Sequence, residues 1–266
     1  MFAALAPFAQ RPLAPVWGFI PVYEAALVVN DLVTAVLLFG QFRINRALSL
    51  AVLACGYLFT ALLAIAHALT FPGLFAAGGL LGAGPQSTAW LYMLWHAGFP
   101  LFVVAYACLK GSARDRPARH WLWMPAVTVL AAVACVLLPT AGQQMLPAIM
   151  RGNHYTPALI FVVGSVWAVS LVALIVLLRR GLRSVLDLWL AVVLCAWLAD
   201  IALSAVLNAG RFDLGFYAGR IYGLLAASFV LFELLLENGR LYAQLVQAHA
   251  SEKQRAEELR LARDEA

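Results

Sequence analysis

Six ionisable side chains stand inside stretches that are otherwise almost wholly apolar: Glu24, Asp31, His67, His96, Asp200 and Arg220. Imidazoles and carboxylates in that setting can ligate a transition metal, and two facing histidines can hold a haem iron. The same groups can bind an organic ligand, or pair with one another in a polar network that only fixes helix packing. All three readings stay open at this level. A charge at bilayer depth costs about 2.5–3.5 kcal/mol on insertion scales, so each of these groups calls for a partner or a purpose. Glu24 and Asp31 are seven residues apart and share one helix face. If the second helix extends through Phe71, a rise of about 1.5 Å per residue brings His67 and His96 within a turn of each other, facing one cavity. Asp200 and Arg220 are expected to form an ion pair that couples the last two spans, since either alone is an uncompensated charge.

The elements that must position these groups are membrane helices. Of 266 residues, 64% are hydrophobic and 12% charged, and the mean hydropathy is +0.87. A soluble domain has roughly 45–50% apolar and about 25% charged residues, so a soluble core of this size is excluded. Apolar runs long enough to cross a bilayer core of about 30 Å recur near Val22 to Phe39, Leu48 to Thr70, Thr88 to Leu109 and Trp121 to Leu138. Three more lie near Pro157 to Leu178, Val185 to Leu207 and Phe216 to Leu236. No period-two alternation supports a barrel. The expected fold is therefore all-α, an integral membrane bundle of seven transmembrane helices.

Positive charge predicts the orientation. Arg43 and Arg46 follow the first run, Lys110, Arg114, Arg116 and Arg119 the third, Arg179, Arg180 and Arg183 the fifth, and Arg240 the seventh. The intervening loops carry only Arg151 and the opposed Arg211 and Asp213, the latter two expected to be solvated. Dense positive loops are cytoplasmic, which places the N-terminus outside, the C-terminus inside and the ionisable groups in the outer half. The net charge of +5 is explained by this topology and does not point to nucleic acid. Met1 to Gln10 lacks the flanks of a cleaved signal, so the first span is expected to act as its own targeting segment. The loop from Phe71 to Ser87 is glycine-rich and uncharged, and reads equally as a partial lid or a surface loop.

Cys55, Cys108, Cys135 and Cys195 show no metal spacing and read as buried thiols. His120, His154 and His249 are expected to be solvated; Glu233 and Glu237 reach the inner headgroups beside Arg240. Tyr23, Trp90, Tyr92, Trp95, Trp121 and Trp123 read chiefly as interface or packing aromatics.

From Leu231 the apolar pattern narrows to a 3.5-residue stripe through Leu231, Leu234, Asn238, Leu241, Leu245, Ala248, Glu252, Arg255, Leu259, Ala262 and Ala266. A coiled coil is expected, with Asn238 favouring a parallel homodimer; the alternative is a lone amphipathic helix on the membrane surface. This divides the chain into a transmembrane sensor domain, 1–237, and a cytoplasmic linker, 238–266, leading to an output domain beyond the sequence.

The runs Asn30-Asp31-Leu32-Val33-Thr34-Ala35, Gly56-Tyr57-Leu58-Phe59-Thr60-Ala61 and His67-Ala68-Leu69-Thr70-Phe71-Pro72-Gly73 resemble the bacterial membrane-associated sensor domain MASE, of its fourth type. Thr88-Ala89-Trp90-Leu91-Tyr92 followed by Trp95-His96-Ala97-Gly98-Phe99-Pro100 extends the resemblance through the third span. Glu258 to Ala266 is similar to the linker preceding the phosphoacceptor helix of sensor histidine kinases. The resemblance implies a sensory module in the bacterial inner membrane, usually dimeric, feeding a histidine kinase or a GGDEF diguanylate cyclase. Its motif residues here are Asp31, His67, Trp95 and His96. No kinase, cyclase or phosphodiesterase motif occurs in the chain, so it is expected not to be an enzyme itself.

A polytopic transporter is the main rival reading, since buried Asp, His and Arg also mark proton or substrate paths. Against it stand the coiled-coil tail and the absence of an inverted repeat. A retinal receptor needs a lysine in its last span, and Lys110 and Lys253 both lie outside the runs. An intramembrane hydrolase would need HExxH, GxSxG or a paired-aspartate motif, and none is present.

Overall fold

The computed structural model describes residues 2–111, 119–152 and 154–264, without the side chains of 119, 120, 257–262 and 264. Arg114, Arg116 and Ala266 lie outside the described residues, as do the side chains of Arg119, His120, Leu259 and Ala262.

Among the described residues, seven helices are long and apolar enough to cross a membrane. They are α1 (Phe19–Asn45), α2 (Leu48–Thr70), α3 (Ser87–Leu109), α4 (Met124–Thr140), α5 (Pro157–Arg180), α6 (Val185–Ile201) and α7 (Leu214–Asp264). A 3₁₀ turn, Arg119–Trp123, leads into α4, and a π turn, Ala202–Val206, extends α6. Their ends follow from local chemistry. Arg46 takes a left-handed φ of 55° and stops α1 six residues beyond the apolar run that ends at Phe39. Gly181, at φ 84°, stops α5, and Pro157 opens it where its missing N–H costs nothing. Ser184 and Asp187 form a capping box at the start of α6.

α1, α2, α3, α5, α6 and α7 pack in sequence around a ring, and α7 closes it against α1. α4 stands outside, against α2 and α3. Its span is only 11% buried, against 67% for α2, so α4 is a peripheral prop whose apolar surface belongs to lipid. Where helices meet closely, small residues allow it. A Cβ at Gly98 of α3 would sit 2.3 Å from the Phe59 ring, and one at Gly56 of α2 would sit 2.8 Å from Phe102. The core fills with Leu38, Leu53, Phe99, Tyr106, Leu190 and Val230.

One end of the ring is roofed by loops. The chain after α2 folds back, with Leu80 N–H donating to Leu69 O at 2.7 Å, and forms an ordered turn over Phe71. The Gln86 side chain accepts from the N–H groups of Ile149 and Met150, both at 2.8 Å, and donates to Met150 O at 2.7 Å. That clamp holds a small hairpin, β1 (Met150–Arg151) with β2 (His154–Tyr155). The N-terminal segment lies along the chain before α7, with Leu13 N–H donating to Phe212 O and Leu214 N–H to Arg11 O. Arg211 and Asp213 are consequently not a solvated pair. Asp213 is buried and accepts from Ala209 and Gly210 N–H, while Arg211 lies over the Phe71 ring at 5.0 Å.

α7 has 51 residues, which at about 1.5 Å each makes a rod of about 75 Å, far beyond bilayer thickness. Leu234 is its last buried residue among those described, and residues 240–256 are exposed, including Leu241 and Leu245.

Candidate functional site

The ionisable residues lie within a few turns of the roofed end, and each imidazole has a carboxylate of its own. Glu24 of α1 and His67 of α2 are joined through Oε1 and Nδ1, at 1% and 2% exposure. That burial removes competing water, so the pair ties α1 to α2. The second Glu24 oxygen, Oε2, is buried with no hydrogen-bond partner.

His96 of α3 meets Asp200 of α6 through Nε2 and Oδ2 at 3.2 Å, and its Nδ1 lies 2.8 Å from Tyr92 O. A carbonyl only accepts, so Nδ1 carries a proton. The Nε2 contact then needs a second proton, held by the imidazole or by the carboxylate. Tyr92 Oη donates to Asp200 Oδ1 at 3.1 Å, and Ser204 Oγ donates to the same oxygen at 3.0 Å. Both partners sit at breaks in helix regularity. Pro100 cannot donate the helix hydrogen bond to the His96 carbonyl, and the π turn begins just after Asp200. Asp31 of α1 accepts from Thr60 Oγ1 of α2 at 2.6 Å.

Two expectations are corrected here. Asp200 and Arg220 do not form an ion pair, because Tyr92 stands between them. Its hydroxyl bonds Asp200, while its ring carries the Arg220 guanidinium at 5.1 Å. Arg220 also lies over the Phe216 ring at 3.8 Å and donates Nη1 to Phe216 O at 3.0 Å. Nor do His67 and His96 converge on a shared metal or haem. Both nitrogens of His96 are engaged, and the rings of Tyr92 and Trp95 touch both imidazoles. Among the described residues no three His, Cys, Asp or Glu side chains gather as a metal site.

A cavity at the centre of the ring is lined by five helices, with Asp31, Tyr57, Trp95, His96, Trp197 and Asp200 among its walls. The space open to the centres of water molecules is about 20 Å³, enough for one or two waters and far too small for a haem. Tyr57 Oη, Trp95 Nε1 and Trp197 Nε1 are buried with no hydrogen-bond partner. These are three donors without an acceptor, beside carboxylates with spare lone pairs.

A family model described as a membrane-associated sensor, integral membrane domain (MASE4), matches residues 15–242. The chain belongs to the MASE4 family. No curated protein and no solved structure matches it. The match covers the first six spans whole and α7 through residue 242, and it contains every residue of the polar site, so the seven-helix bundle with its buried charges is the MASE4 unit.

The other end of this MASE4 domain holds a buried charge of a different kind. Asp187, at the first turn of α6, accepts from Tyr106 Oη at 2.7 Å, Arg183 N–H at 2.8 Å and Ser184 N–H at 2.9 Å, and pairs with Lys110. Sequence reasoning counted Lys110 only as loop charge and passed over Asp187. The Ser184-x-x-Asp187 spacing, a capping-box pattern, was the available signal. It also gave no role to Trp197 and Ser204, and names Tyr57 and Thr60 only within the runs that carry the resemblance; of the aromatics expected at interfaces or in packing, Tyr23, Tyr92 and Trp95 are buried. Tyr92 and Ser204 were findable, because each lies four residues from His96 or Asp200 on the same helix face.

Proposed function

We propose that this MASE4 domain receives a stimulus at its roofed, outward-facing end and passes it through α7 to a cytoplasmic output enzyme, a histidine kinase or a diguanylate cyclase. The observation that carries the reading is that the polar site and the exposed tail share one unbroken helix. Gly219 of α7 presses against Asp200, where a Cβ would stand 2.5 Å from Oδ1. Arg220 follows it over Tyr92. Asn30 of α1 donates to Ser228 of α7 at 2.8 Å, and Gln41 donates to Glu237 at 3.1 Å. A change in the His96–Asp200 contact therefore acts on the helix that leaves the bundle. Two packings differing by a few kcal/mol suffice for a switch, provided the stimulus favours one of them.

On this reading two copies pair in parallel through the stripe containing Leu241 and Leu245, which a single chain leaves exposed. The asymmetry of positive loops supports a cytoplasmic tail. The test is disulfide mapping in membranes, with Cys55, Cys108, Cys135 and Cys195 replaced by alanine. Single cysteines at Leu241 and Leu245 are expected to cross-link two chains strongly, and those at Ala243 and Gln247 weakly. Gly219→Ala and His96→Gln are expected to shift that pattern. An identical pattern in the parent and in both variants overturns transmission through α7, and uniform cross-linking along the tail overturns the coiled coil.

A further inference from the structure

Two guanidinium groups beneath the roof have no carboxylate. Arg220 is 6% exposed and, apart from its bond to Phe216 O, lies against the rings of Phe216 and Tyr92. Arg211 lies over Phe71. Neither makes an ion pair among the described residues, where the pairs are Glu24–His67, Asp200–His96, Asp187–Lys110 and His249–Glu252. The buried acids at this end bond other groups: Glu24 bonds His67, Asp200 bonds His96, Tyr92 and Ser204, and Asp213 bonds backbone N–H groups. A cation removed from water with no carboxylate bonded to it is costly, and two facing one space also repel each other.

Both arginines line one cavity, with His67, Thr88, Tyr155 and Ser204. The space there open to water centres is about 30 Å³. Burial pulls the Arg211 guanidinium below its ordinary range; the Tyr155 phenol acts the other way, and the charge of Arg220 adds to the pull. Arg211 also borders a wider surface cleft of about 370 Å³, walled by Trp17, Phe71, Pro72, Pro85 and Phe212. Arg211 is thus the threshold between an aromatic cleft and a small cationic chamber.

The geometry points to a binding site for a small organic monocarboxylate, its carboxylate held between Arg211 and Arg220 and its apolar body lying in the aromatic cleft. A planar guanidinium fork matches a planar carboxylate, and one negative charge relieves the repulsion between two cations. The chamber admits little more than the carboxylate itself, while the cleft rewards an apolar remainder. Such a ligand would bridge the loop before α7 to α7 itself, at the residue that follows Gly219. This site supplies the stimulus for the sensory reading above and depends on that reading only for its signalling consequence.

The test is calorimetric titration of the whole chain in lipid nanodiscs with acetate, butyrate and benzoate, with benzamide as the uncharged shape control and sulfate as the inorganic dianion. Saturable binding of benzoate or butyrate is expected, with none of benzamide. Arg220→Gln and Arg211→Gln are each expected to weaken it about tenfold or more. Thermal unfolding checks that each variant folds, and Arg211, which lies outside the spans, serves if Arg220→Gln does not. Absence of binding by all three carboxylates overturns the site, as does benzamide matching benzoate or undiminished binding in the folded variants. Sulfate binding more tightly than any carboxylate overturns the ligand class. Bound benzoate that leaves the tail cross-links unchanged sinks the sensory reading and spares the site, whereas cross-links that shift with another stimulus in a chain that binds no carboxylate do the reverse.

Discussion

Asp187 and Asp31 are both carboxylates sealed inside the same bundle, at 0% and 4% exposure, and their surroundings differ completely. Asp187 accepts from a phenol and two backbone N–H groups, pairs with Lys110, and sits at a helix N-terminus whose dipole favours it. Asp31 receives one hydroxyl, from Thr60. Glu24, near Asp31 on the same helix, has one oxygen with no partner at all. At Asp187 the fold supplies a full set of donors. At the roofed end the sets are incomplete in both directions, with spare acceptors on the acids and spare donors on Tyr57, Trp95 and Trp197. Incomplete sets are what a proton, a water or a ligand can change.

The largest test of that contrast is Asp187→Ala. It removes the capping box, the ion-pair partner of Lys110 and the carboxylate to which Tyr106 donates, so it is expected to cost about 3 kcal/mol, measured by chemical unfolding in detergent. Asp31→Ala costing as much would erase the distinction between the two ends. Next comes Gly219→Ala, whose Cβ would meet Asp200 Oδ1 at 2.5 Å and the Asp200 carbonyl at 2.9 Å. Overpacking there is expected to cost about 1–3 kcal/mol and to move α7 from α6, read as a changed cross-linking pattern in the tail. A smaller effect of opposite tendency is expected from Asp31→Asn. The amide still accepts from Thr60 and the buried charge is gone, so stability should hold or rise by up to about 1 kcal/mol. A loss comparable to that of Asp187→Ala would make Asp31 a structural anchor.

The seven spans were legible because a run of about 20 apolar residues states its own fate in a bilayer. Their arrangement was not. Apolar helices in lipid choose neighbours by fit, and nothing in the run from Trp121 to Leu138 says that this helix stands outside the ring. The polar set was legible too, since charge is conspicuous in such company, but its pairing was not. Glu24 was read with Asp31 as one helix face, whereas its partner is His67 on the neighbouring helix. Arg220 was assigned to Asp200 by charge balance, whereas the Tyr92 side chain intervenes and serves both. Charge balance states that partners exist; only the packing states which. The roof was least legible, because it joins Leu13 to Phe212 through backbone groups alone, and the Gln86 side chain binds the backbone of Met150 rather than a side chain that a pattern could reveal.

The smallest expected effect lies at the far end of α7 and separates local helix stability from coupling. Gly239 is exposed and follows Asn238 in the stripe, on the outside of the predicted seam; a Cβ there meets nothing within 4 Å. Gly239→Ala removes backbone freedom from the unfolded chain without touching a contact, and is expected to raise stability by about 0.5 kcal/mol. Cross-linking at Leu241 and Leu245 should be kept, because the seam positions are unchanged. If instead the tail ceases to respond to Gly219→Ala once Gly239→Ala is present, the rod bends at Gly239, and the signal travels through a hinge rather than along a rigid helix. Equal response with and without the substitution leaves the rigid rod in place, with the incomplete polar set at one end and the exposed stripe at the other moving as one body.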